Sequence, residues 1–110
     1  MSPTQRSLAY LRKRGALAQV VERYNAYAKR RIDLFGFIDI VALDDKPGVL
    51  GVQTTSAGNV SHRVAKVHDA CAESMRRWLQ AGNRLVIHGW GKRGPRGTRK
   101  VWTLSVTEIV

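Results

Sequence analysis

The chain contains a single cysteine, Cys71, which excludes an internal disulfide and a cysteine-based zinc site. No stretch approaches the ~20 apolar residues of a membrane span. The N-terminal segment MSPTQRSLAYLRKRG places charges where a secretory signal would be apolar. These absences lead us to expect a cytoplasmic protein with no membrane partner. At 110 residues a second hydrophobic core would not fit, so one domain over residues 1–110 is expected. Acidic residues are scarce too. Eight Asp and Glu stand against nineteen Lys and Arg, a net charge of +11. An excess of that size on a small domain favours a polyanionic partner, because each neutralised phosphate releases counterions. The middle of the chain is the exception, with only Lys46, Arg63 and Lys66 between Arg31 and Arg76. On charge alone, a ribosomal-type or architectural nucleic-acid binder is the simplest reading.

Ser2-Pro3 is a helix start, a capping hydroxyl followed by proline at the first helical position, and Gly15 is a natural stop. A short helix over Pro3 to Arg14 is therefore expected. Ala16 to Tyr24 reads as a strand on its Val20-Val21 pair, and Phe37 to Leu43 as a buried central strand. Asp44-Asp45-Lys46-Pro47-Gly48 is a turn, and Val49 to Thr55 is the partner strand of a hairpin. Val60, Val64, Val67, Cys71, Met75 and Trp78 recur on one helical face, which predicts a single helix from Val60 to Ala81. Arg84 to Trp90 and Val101 to Ile109 read as strands, the second turning Trp102, Leu104 and Val106 inward. Between them Gly91 to Lys100 is a basic, glycine-rich loop. The expected class is α/β, a mixed sheet with flanking helices in the order α-β-β-β-α-β-β.

Asp39 is the sharpest chemical feature. It sits in Phe37-Ile38-Asp39-Ile40-Val41-Ala42, where an ionised carboxylate is costly unless paired or holding a metal. A salt-bridged or solvated strand-end aspartate is the structural alternative. On the partner strand, Gln53 and Thr55 lie two residues apart and face the same way. The segments Gly36-Phe-Ile-Asp39-Ile-Val-Ala and Gly51-Val-Gln53-Thr-Thr55-Ser resemble the aspartate strand and the Glu-x-Lys strand of the PD-(D/E)xK nucleases. That superfamily includes the restriction-endonuclease-like and Holliday-junction-resolvase-like enzymes, and the resemblance covers roughly Ser2 to Trp90. It implies a restriction-endonuclease-like core, a helix, three strands, a helix and a further strand.

The resemblance further implies a DNA endonuclease dependent on Mg²⁺ or Mn²⁺, acting on branched or structured DNA and working as a homodimer. Asp39 and the Gln53 side-chain carbonyl would hold the metal, joined by the Thr54 backbone carbonyl and by a carboxylate from Glu22 or Asp33. The chain departs from the family where Gln53 replaces the glutamate and Thr55 the lysine. Glutamine offers an oxygen without charge, and threonine cannot replace an ammonium. Lys66 or Arg63, on the helix after the motif strand, is the candidate replacement cation; solvated residues pairing with Asp69 are the structural alternative. The small size and compact motif also suit a phage origin.

Phosphate contacts are assigned to Arg12, Lys13 and Arg14, and to Lys92, Arg93, Arg96, Arg99 and Lys100 of the basic loop. Gly94-Pro-Arg-Gly97 matches the GxxG of KH domains, but it joins strands rather than helices, so that reading fails. His62 and His68 fall on different helix faces and form no metal cluster with His88. Trp90 and Trp102 flank the basic loop; Trp102 is expected in the core. Two other function classes stay open: a catalytically inactive nuclease-fold DNA-binding protein, and an RNA-binding ribosome-associated protein.

Overall fold

The computed structural model describes Met1–Val110. Helix α1 (Pro3–Lys13) starts where its chemistry dictates, with the Ser2 hydroxyl accepting from the Gln5 N–H at 3.2 Å. Strands β1 (Leu17–Val20), β2 (Arg23–Asn25), β3 (Arg30–Ile32), β4 (Ile40–Leu43) and β5 (Leu50–Ser56) follow. A 3₁₀ turn (Ala57–Asn59) leads into α2 (Val60–His68) and α3 (Ala72–Gln80), and β6 (Arg84–Arg93) and β7 (Val101–Ile109) complete the chain. Five strands form a mixed sheet in the order β1-β4-β5-β6-β7, and β2 and β3 make a separate two-stranded ribbon. Only β5 and β6 run parallel, and α2 and α3 supply the crossover such a pair requires. No helix is long and apolar enough to cross a membrane.

Strand alternation divides the apolar residues between two faces. On one, Leu8 and Leu11 of α1 pack on Ala18, Ile40, Ala42, Leu50 and Val52. On the other, the stripe from Val60 to Trp78 covers Phe37, Ile38, Leu85 and Ile87. The Asp44–Gly48 turn joins β4 to β5 as expected. Gly48 has φ +80°, and a Cβ there would collide with the Gly82 carbonyl oxygen, so the position admits only glycine.

Four expectations need correction. The helix predicted over Val60 to Ala81 is two helices: it breaks at Asp69, whose backbone leaves the helical region at φ −117° and ψ −83°. The Cys71 N–H then bonds to the Lys66 carbonyl, and this wider turn keeps Cys71, Met75 and Trp78 on the same apolar face. The strand expected over Ala16 to Tyr24 stops at Val20, because the N–H groups of Val21 and Glu22 both turn to the Asp39 carbonyl. Past Glu22 the chain enters the β2–β3 ribbon, which the expected element order did not contain. The strand expected from Phe37 begins only at Ile40, since Phe35 (φ 55°) and Gly36 (φ 85°) fold the chain back and bridge Leu34 to Ile38. Finally, Trp102 and Val106 are not in the core, being 45% and 54% exposed on the edge strand β7. The Arg6 guanidinium of α1 covers the Trp102 ring at 3.9 Å instead.

Candidate active site

The sheet forks at Asp39. The β4–β5 register ends at Ile40↔Val52, and one further residue brings Asp39 level with Gln53. Beyond that point the β4-side edge of β5 has no partner strand. The Asp39 carboxylate takes its place, its Oδ2 accepting from the Thr54 N–H at 2.8 Å and the Thr54 hydroxyl at 3.2 Å. Thr54 in turn accepts from the Thr4 hydroxyl of α1 at 2.7 Å, because its own proton goes to Asp39. A hydrogen-bond chain thus runs from α1 through the sheet to Asp39.

Two further carboxylates converge on the same point. The Asp39 carbonyl, by holding the N–H groups of Val21 and Glu22, anchors Glu22 beside it. The fold-back from Asp33 to Ile38 returns Asp33 from the other side, with the Gly36 N–H on the Asp33 carbonyl. Carboxylate oxygens of Glu22, Asp33 and Asp39 all lie within 4.8 Å of one another. Burial, reinforced by a hydrogen bond to Asp33 and by the negative charges of Asp33 and Glu22, pushes the Asp39 carboxyl up to about 8, against the donated bond from Thr54.

Cations do little to relieve the crowding. Arg31 reaches Glu22 at 3.7 Å, and the three remaining ion-paired cations, Arg76, Arg77 and Arg84, serve Glu73 and Asp44. Nineteen Lys and Arg less these four leave fifteen without a carboxylate partner. With so many cations free, the clustering of three acids around one exposed arginine is not explained by ordinary ion pairing.

Gln53 is fully buried, and neither its amide oxygen nor its amide nitrogen has a hydrogen-bond partner. Its register partner in β6 is Ile87, which puts it on the face covered by α2. Thr55 shares that face, two residues on and also buried. Arg63 and Lys66 are half-buried on α2; the Arg63 Nε is enclosed without a partner, and neither cation pairs with Asp69. The structure therefore brings Glu22, Asp33 and Asp39 together and sets Gln53 at their level. Arg12, Lys13 and Arg14 lie elsewhere. They occupy the far end of α1, where Arg14 lines a hollow with Leu43, Asp44 and Asp45, while Thr4 at the near end meets Thr54. Arg12 is bound to the Ala18 carbonyl at 3.0 Å. In the basic loop, β6 extends through Lys92 and Arg93, which pair with Trp102 and Val101. Only residues 94–100 form the loop, with Lys100 tied back to the Gly94 carbonyl at 2.7 Å.

Two elements of the surroundings escaped sequence reasoning. The hydrogen bonds from Thr4 to Thr54 and from Thr54 to Asp39 cross two elements, and no local spacing links them, although Thr54 was named for its backbone carbonyl. His88 is buried on the α1 face with its Nδ1 2.9 Å from the Ser7 hydroxyl, which also accepts from the Trp90 indole at 2.9 Å. The tautomer of the ring sets the direction of the Ser7–His88 bond, and burial lowers that imidazole to about 4, which keeps the ring neutral. No protein family, curated protein or solved structure matches the chain.

Proposed function

We propose that this protein is a metal-dependent endonuclease that hydrolyses DNA phosphodiester bonds, built on a restriction-endonuclease-like core and acting on branched or structured DNA. The observation that carries the proposal is the convergence of Glu22, Asp33 and Asp39 at the sheet fork in a chain with fifteen unpaired cations. The donor set suits a hard divalent cation such as Mg²⁺ or Mn²⁺: three carboxylates, with Gln53, whose side-chain oxygen is unsatisfied, one residue past the last β4–β5 pair. The order of α1, three main-sheet strands, a helical crossover and β6 also agrees with such a core, Asp39 preceding the second of those strands and Gln53 lying on the third.

In this reading Glu22, Asp33 and Asp39 hold the cation, and Gln53 contributes a neutral oxygen where the superfamily has glutamate. When bound, the cation supplies charge stabilisation at the phosphate and a more acidic water. Thr54, steadied by Thr4, fixes the Asp39 carboxylate so that little reorganisation is needed on loading. Lys66 or Arg63 offsets charge developing on the phosphate, the role that Thr55 cannot fill. Lys92, Arg93, Arg96 and Arg99 hold the DNA backbone.

The replacement of Glu-x-Lys by Gln53 and Thr55 favours a second reading, a nuclease fold that binds DNA without cutting it. Labelled linear, single-stranded and four-way-junction DNA, incubated with Mg²⁺, Mn²⁺ or EDTA beside an Asp39→Ala variant, separates the two. Cleavage that needs metal and vanishes in the variant supports the enzyme. Tight binding under every condition without cleavage, unchanged in the variant, refutes it.

A further inference from the structure

The β2–β3 ribbon is rooted in the acid cluster at both ends, since Glu22 immediately precedes β2 and Asp33 immediately follows β3. Between those roots the sequence Arg-Tyr-Asn-Ala-Tyr-Ala-Lys-Arg-Arg-Ile carries four cations and no acid. All of it is exposed except Asn25 and Ile32, which are half-buried. Its turn is shaped by Asn25, whose side-chain oxygen accepts from the N–H groups of Tyr27 and Ala28 at 2.9 and 3.0 Å, and by Lys29 at φ 52°. The tip is therefore a defined structure that presents Ala26, Tyr27 and Ala28. Tyr27 is completely exposed and Tyr24 is 62% exposed, and neither hydroxyl has a hydrogen-bond partner in the protein. Tyr24 lies opposite Arg31 in the register, on one face of the ribbon, and Arg31 reaches Glu22, so that face adjoins the cluster.

An unsupported two-stranded ribbon is marginal in water, and exposed aromatics on it contribute nothing to a core. Cations interleaved with aromatics suit a polyanion whose flat faces are accessible. Paired bases hide those faces. A ribbon entering a duplex groove would need amide or guanidinium groups at its tip to read base edges, whereas this tip is alanine and tyrosine.

We infer that the β2–β3 ribbon is a binding arm for unpaired nucleotides of DNA, with Tyr24 and Tyr27 stacked on bases, Lys29 at the tip on phosphate, and the long side chains of Arg23 and Arg30 reaching phosphates from the opposite face of the ribbon. The inference rests on the nuclease reading for its biological sense. It assigns the preference for branched or single-stranded substrate to the arm, which leads a bound strand past Glu22 and Asp33.

The test is fluorescence anisotropy of the full chain in EDTA, where cutting is silenced. The ligands are a labelled single-stranded oligonucleotide, its duplex and a four-way junction. Wild type should prefer the single strand to the duplex. A Tyr24→Ala/Tyr27→Ala variant should lose about a hundredfold in single-strand affinity, roughly tenfold for each lost base stack, with duplex affinity nearly unchanged. Tyr24→Phe/Tyr27→Phe retains stacking and should bind as wild type, which also guards against a folding artefact in the alanine variant. Equal affinity of wild type for single strand and duplex, or an alanine variant that binds single strands undiminished, would overturn the arm. Because binding is read without metal, the arm and the cutting reaction fail separately: tyrosine-dependent binding supports the arm even where Asp39-dependent cleavage is absent.

Discussion

Raising the pH from 6.5 to 8 is expected to destabilise this protein, and two buried groups set the size of the effect. The Asp39 carboxyl titrates at about 8 in the folded chain against 3.8 ordinarily, and the His88 imidazole at about 4 against 6.5. Between pH 4 and 6.5 the native state holds a proton on Asp39 that the unfolded chain has lost, while the unfolded chain holds one on His88 that the native state lacks. The two slopes oppose and cancel, giving a plateau. Above 6.5 the unfolded histidine is neutral as well, and only Asp39 still distinguishes the states. The native state then binds the extra proton, so stability falls by about 1.36 kcal/mol per pH unit until Asp39 ionises. From 6.5 to about 8 is about 1.5 units, hence roughly 2 kcal/mol, or about 8 °C in Tm for a domain of this size. Urea denaturation across a pH series in EDTA reads this directly. Asp39→Asn should abolish the alkaline fall and unmask a rise with pH between 4 and 6.5 from His88. His88→Gln should do the reverse, leaving stability falling from about pH 4 upward. A wild-type profile that is level from 6.5 to 8, or one that Asp39→Asn leaves unchanged, refutes the reasoning.

Gln53→Met removes two buried amide atoms that have no partners and keeps the volume, so stability measured by urea denaturation should rise by about 1 kcal/mol. The same variant should lose metal-dependent cleavage, because it removes the neutral oxygen that the nuclease reading gives to the cation. Gly48→Ala meets the Gly82 carbonyl from a left-handed backbone and should lower stability by about 2 kcal/mol or more in the same assay.

Much of the scaffold was legible because local chemistry and tertiary packing agree there. Ser2-Pro3 starts α1, Asp44 to Gly48 turns, and β5 and β7 fall within a residue of their apolar runs. The apolar stripe from Val60 to Trp78 was correct in face and wrong in continuity, since a wide turn at Asp69 to Cys71 preserves the periodicity that suggested one helix. Trp102 misled because alternation identifies which side of a strand a residue occupies, not whether a helix reaches far enough to cover it. In the candidate site, Asp39 was conspicuous among apolar neighbours. Glu22 and Asp33 were visible only as nearby acids, because the ribbon that closes the distance between them has little apolar pattern. The sequence offered Thr54 only for its backbone carbonyl; its hydrogen bonds to Thr4 and Asp39 were beyond reach, the first joining residues 50 apart.

The most direct test of the account is Mn²⁺ binding to the metal-free protein near pH 7, followed by electron paramagnetic resonance in wild type and Asp39→Asn. The account predicts binding in the wild type that is lost in the variant and weakened by Glu22→Gln and by Asp33→Asn. Absence of binding in the wild type, or binding that survives Asp39→Asn undiminished, would contradict a cation site at the sheet fork and the nuclease built on it.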